Sequence, residues 1–198
     1  VNPVFYFKSK PRILFVLKEM NASPWKPDDL IEYLTDNNKR PQTWNNVLRW
    51  RSGIHDVWAD KTPDVIQYED FEWISTEERK EKLKDIAAIN LKKVAGSSSS
   101  NMMDINNHAE HFTKLLSRQV ELLDPDVIVA CGVWLHHIEG FEVLEKVEHH
   151  DPGFAVHVFE GKPRVILWAE HPQARKNAKG MFDAVVKGCY GAKQELAL

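Results

Sequence analysis

The sequence predicts an α/β protein built in three layers, with a central, mostly parallel sheet of about four strands held between helices. Three observations carry that class. Short apolar runs with a β-branched bias recur along the chain, among them RILFVLK at 12–18, DIAAINLKK at 85–93 and VIVACG at 127–132. Longer stretches with apolar residues at helical spacing lie between them. Runs of this kind empty into polar or cationic residues, as in KEMN, NLKK and EHPQARK, while the end at 131–134 reads CGVW.

Taken in order, RILFVLK reads as a buried strand that gives way to a polar loop. KPDDLIEYLTDN places Pro27 in a first helical turn, with acids next and apolar residues at helical spacing. TWNNVLRWRSGIHDVWAD continues with a second helical stripe of Trp44, Val47, Leu48, Ile54, Val57 and Trp58. Ser75 and Glu78 form a capping box that opens the charged helix STEERKEKLK. DIAAINLKK returns to strand character before GSSSS, and a long amphipathic helix follows over 106–123. After the strand VIVACG, the segment VWLHHIEGFEVLEKV reads as a helix interrupted at Gly140. FAVHVFEGKPRVILW reads as two strands joined by a turn at Gly161 and Lys162, and a last helix covers 176–190.

At 198 residues, with neither repeat nor linker to divide it, the chain is expected to form one domain over 1–198. No apolar run approaches the ~20 residues that span a bilayer, and the N-terminus lacks a signal pattern. The expectation is a cytoplasmic monomer with no membrane partner. Two cysteines, Cys131 and Cys189, support neither a disulfide framework nor a cluster site, so neither cofactor nor metal is expected. The formal net charge is −3, which confines any nucleic-acid role to a local basic patch.

Several features have plain structural readings. His108 and His111 lie one helical turn apart on what reads as a solvated helix face, without a third ligand. Cys131 reads as a small buried apolar residue. GSSSS is either a connector or a backbone and hydroxyl cradle for phosphate, since it sits at a strand's carboxyl end. In parallel sheets ligands bind beyond those ends. There Glu19, Asn90 and His171 follow three separate apolar runs, and Arg175, Lys176 and Lys179 follow the His-Pro pair.

The ordered set ILFVLKEMN, AAINLKK, DPDVIVACG and EHPQAR resembles the uracil-DNA glycosylase superfamily, and within it the iron–sulfur branch, across residues 12 to 185. The resemblance implies a DNA base-excision glycosylase that hydrolyses the N-glycosidic bond of a flipped, damaged base such as uracil. It implies that Glu19 orients or activates the attacking water, with Asn21 sharing the task, and that His171 stabilises the departing base. Asn90 would read the base edge, Trp44 would stack on it, and Lys18 would lie on the pocket floor. Lys92, Lys93, Ser97, Ser98, Arg175 and Lys176 would grip DNA phosphates. The sequence departs from the pattern at Lys18, which replaces a glycine, at Asn21, which replaces a proline, and at Gln173, which replaces a serine; the cluster cysteines are absent. Two other classes remain open: a relative that binds a nucleotide or free base without chemistry, and a small-molecule hydrolase or transferase using Glu19 and His171 as base and acid.

Overall fold

The computed structural model describes residues 2–19, 41–94, 100–138, 141–145, 154–159, 162–174 and 176–196. The helix expected at Pro27, and residues Asn21, Ser97, Ser98 and Arg175, lie outside the described residues. Four strands form the parallel heart of the sheet: β1 (Ile13–Leu17), β2 (Ile86–Asn90), β3 (Val127–Cys131) and β6 (Lys162–Ala169). Their spatial order is β2-β1-β3-β6, and β5 (Phe154–Phe159) and β4 (Phe141–Glu145) extend that sheet antiparallel beyond β6.

The strand bodies are apolar on both sides because helices cover both faces. Alternation along β1 sends Ile13, Phe15 and Leu17 to one face and Leu14 and Val16 to the other. The first face is covered by α2 (Pro41–Trp58) and the C-terminal helix α6 (Ala178–Glu195), which supply Trp44, Val47, Leu48, Trp50, Phe182 and Val186. The second is covered by α4 (Met102–His111) and α5 (Thr113–Leu123), through Ile105, Ala109, Leu116 and Val120, and by Tyr6 of the short helix α1 (Pro3–Lys8). Each fully buried side chain of this size contributes about 1.5–3 kcal/mol. Gly53 lets α2 and α6 touch: a Cβ there would lie 2.6 Å from Val186 Cγ2 and 3.0 Å from Phe182.

Local signals hold where chemistry is local. Ser75 caps α3 (Thr76–Lys82), its hydroxyl accepting from the Glu78 amide at 3.0 Å. Two expectations are corrected. The long helix at 106–123 is two helices, α4 and α5, broken at Phe112 (φ −105, ψ 20). At the break the Thr113 hydroxyl donates to the Glu110 carbonyl at 2.8 Å and the Ala109 carbonyl at 3.3 Å, the back-bonding that bends helices. The segment read as one helix over 133–147 instead turns at 136–138 and forms β4. Apolar residues at 141, 143 and 144 suit either period, and pairing along β5 decides for strand.

Candidate active site at the carboxyl edge of the sheet

Parallel register sets the ends of four strands in one row. Leu17 pairs with Asn90, Val16 with Ala130, and Cys131 with Ala169, so Asn90, Leu17, Cys131 and Ala169 end level with one another. The pairing of β1 with β2 runs on past the strands, with the Leu91 amide donating to Leu17 O at 2.9 Å and the Lys92 amide to Lys18 O at 3.0 Å. Lys18, Glu19, Lys92 and His171 therefore emerge just beyond this row, on the side where parallel sheets hold ligands. The sequence separates these residues widely, and the sheet brings them together.

Gly132 makes a close approach at this edge. It has φ +65, a conformation that glycine adopts at no steric cost. A Cβ there would meet the His171 amide nitrogen at 3.2 Å, His171 Cβ at 3.4 Å and Lys18 Cε at 3.4 Å. The absence of a side chain thus lets His171 and Lys18 close around the end of β3. His171 is fixed further by its own turn. Its Nδ1 accepts from the Gln173 amide at 3.2 Å, and its carbonyl accepts from the Ala174 amide at 2.7 Å. In a neutral ring whose Nδ1 accepts, the proton sits on Nε2, which makes Nε2 the donor. Asn46 of α2 steadies the same turn, donating from Nδ2 to Pro172 O at 2.8 Å while Arg49 donates to its Oδ1 at 2.8 Å.

Glu19 is paired. Lys92 Nζ lies 3.0 Å from Glu19 Oε2 and 2.5 Å from Asp104 Oδ2, and the Glu19 side chain is only 4% exposed. Asp104, then Glu19, hold the Lys92 ammonium above its ordinary value, and Lys92 in turn holds the Asp104 carboxyl below its own. His108 stands behind this group, 3.7 Å from Asp104. Lys93 turns to Gln119 of α5, 2.6 Å away, and burial pushes its ammonium down to about 8.

These placements sort the expected residues. Lys18, Glu19, Asn90 and His171 share the carboxyl edge. Lys92 is a buried bridge between two carboxylates, and Lys93 is half-buried against α5, so neither presents an open ammonium to a phosphate. Lys176 pairs with Glu170 on the surface. Trp44 packs within the α2 face of the core and is 5% exposed, which leaves little ring for a base to cover. Sequence reasoning missed Asn46, Asp104 and Gly132. A glycine directly after an apolar strand was a usable signal for Gly132; nothing in the spacing of Lys92 and Asp104 announced their contact.

Among the described residues, no three His, Cys, Asp or Glu side chains come together as a metal would require, and no helix is long and apolar enough to cross a membrane. Cys131 and Cys189 are buried thiols pushed well above the ordinary value by burial, Cys189 to about 12. Against known proteins the chain matches no family model, no curated protein and no solved structure.

Proposed function

We propose that this chain is a DNA base-excision glycosylase, a cytoplasmic monomeric hydrolase that acts in DNA repair on a flipped, damaged base such as uracil. The observation that supports it is the convergence of Glu19, Asn90 and His171 at one strand edge, which matches the roles of water positioner, base reader and leaving-group stabiliser. The reaction breaks the bond from C1′ of the sugar to the base nitrogen and forms a C1′–oxygen bond with water. The electron pair of the broken bond leaves with the base, and the water proton passes to solvent. Lys92, 3.0 Å from Glu19, holds its side chain in place, which suits it to orient water beside a cationic sugar. The Nε2 proton of His171 suits the anionic base. Lys18, beside His171, adds positive charge for the same anion or for a phosphate.

A second reading, a non-catalytic relative that binds a nucleotide or free base, draws support from the same cations. Lys92 neutralises the carboxylate that the chemistry needs, and Lys18 occupies the place of a glycine. Incubation with oligonucleotides carrying uracil, hypoxanthine or xanthine, followed by alkaline cleavage, separates the two. Abasic product that is lost in Glu19→Gln and His171→Ala supports the glycosylase. No product from any substrate, together with binding of free base or nucleotide, establishes the binder instead.

A further inference from the structure

A base drawn from a duplex needs an aromatic face to replace its lost stacking, and Trp44 is buried. The same edge carries another indole. Trp134 lies two residues beyond Gly132 and is 64% exposed, although tryptophan is on average a well-buried residue. Its ring is backed by Trp168, with centroids 5.6 Å apart and planes tilted by 47°. Trp168 sits on β6 level with Ala130 of β3, three residues before His171, and packs on the α4–α5 face. Gly132, two residues before Trp134, is where His171 and Lys18 close together. Glu19 follows β1, two strands over from β6, a span of about 10 Å at ~4.8 Å per strand.

Trp73 is exposed as well, at 86%, but among the described residues no second ring fixes its plane. A stacking surface needs a held plane, because a ring that must be ordered on binding loses part of the gain. Trp134 has that support.

We infer that Trp134, held by Trp168, is the stacking platform for a nucleobase at this site. The inference rests on the reading of the site as one that binds a base in DNA. It is tested with the full chain by fluorescence anisotropy on a labelled single-stranded oligothymidine, and by titration calorimetry with deoxyuridine monophosphate. Trp134→Ala is expected to weaken both about 5- to 150-fold, the equivalent of the roughly 1–3 kcal/mol that one stacked base contributes. Trp134→Phe should restore most of the affinity, Trp73→Ala should bind as the parent does, and all three should unfold at the parent's denaturant midpoint. Parent-like binding by Trp134→Ala, or an equal loss in Trp73→Ala, overturns the platform while leaving the site reading intact. A loss confined to the oligonucleotide identifies Trp134 as a strand contact and also overturns it. Failure of the parent chain to bind either probe overturns the site reading and the platform together.

Discussion

The two ends of the parallel sheet are both rich in charge, yet they are built on different principles. At the amino end, Arg12 donates its amide to Asp126 at 2.8 Å and its guanidinium to Asp124 at 2.7 Å. Lys162 reaches Asp126 at 2.9 Å and Asp124 at 3.2 Å, and Arg164 reaches Asp124 at 2.9 Å and donates to the carbonyl of Pro125. Three cations share two carboxylates; Arg12, Asp124 and Asp126 precede β1 and β3, Lys162 and Arg164 belong to the start of β6, and the network ties the three strands together. Burial raises Asp126, but the Arg12 amide, Lys162 and the Arg12 side chain outweigh it, and the carboxyl sits below its ordinary value; Asp124 is lowered by Lys162 and Arg12 against the same penalty. At the carboxyl end one cation, Lys92, is shared by two carboxylates, Lys18 and His171 close around Gly132, and the indole of Trp134, two residues on, is exposed. Charge density therefore does not mark a site. What differs is that the amino-end charges tie β1, β3 and β6 into one network, whereas the carboxyl end combines the Glu19–Lys92–Asp104 bridge with Lys18 and His171 around Gly132.

If that contrast is right, substitutions at the two ends should fail in different assays. On the proposed glycosylase reading, the largest effect is expected for His171→Ala, which would remove the donor to the leaving base and lower the rate on a uracil oligonucleotide about 10²–10³-fold. Its unfolding free energy should fall by about 1 kcal/mol, the scale of the partly exposed hydrogen bond from the Gln173 amide. Equal losses in rate and stability would erase the distinction. Asp126→Ala should do the reverse. It orphans the Arg12 amide and leaves Lys162 and Arg12 short of a counter-charge, so urea unfolding should show a loss of roughly 2–4 kcal/mol. Activity per folded molecule should stay at the parent level.

Lys92→Met tests the bridge within the carboxyl end. Glu19 and Asp104 then face each other without their shared cation, and the rate should drop less than in His171→Ala, with Lys92→Arg recovering part of it. A parent-like rate in Lys92→Met would mean that Glu19 needs no positioning. The smallest expected effect is the acid dependence of the amino end. Burial and Arg51 push His55 down to about 4, against the pull of Asp85 and Asp56. Between about 6.5 and that value the unfolded chain binds a proton that the folded chain refuses, so stability falls as pH is lowered. Asp124 and Asp126, held low, give their stability above the ordinary carboxylate range and lose it as pH falls through their lowered values. Thermal melts across this range should show the earlier decline vanish in His55→Gln, while the later one persists.

Much of this was readable in the chain. Ile13–Leu17 and Val127–Cys131 are apolar at every position because both faces of a parallel strand are covered, and that leaves a continuous signature. The polar ends of the runs pointed to Glu19, Asn90 and His171, since in such sheets only the carboxyl ends collect ligands. Trp44 was not readable: an aromatic at helical spacing looks the same whether its ring fills the core or lines a cleft. Nor was the role of Lys92, because Asp104 meets it only through the docking of α4.

By itself, the sequence determined what depends on neighbours a few residues apart: the strand runs, the Ser75 cap, the glycine at 132 and the histidine held before a proline. Each is set by periodicity, capping or backbone sterics, which act within a turn or two of the chain. Only the tertiary structure decided that β4 is a strand, that Trp44 is core while Trp134 is exposed beside Trp168, and that Lys92 meets both Glu19 and Asp104. Those outcomes rest on strand register and helix docking between segments far apart in the chain, where burial and pairing outweigh any local preference.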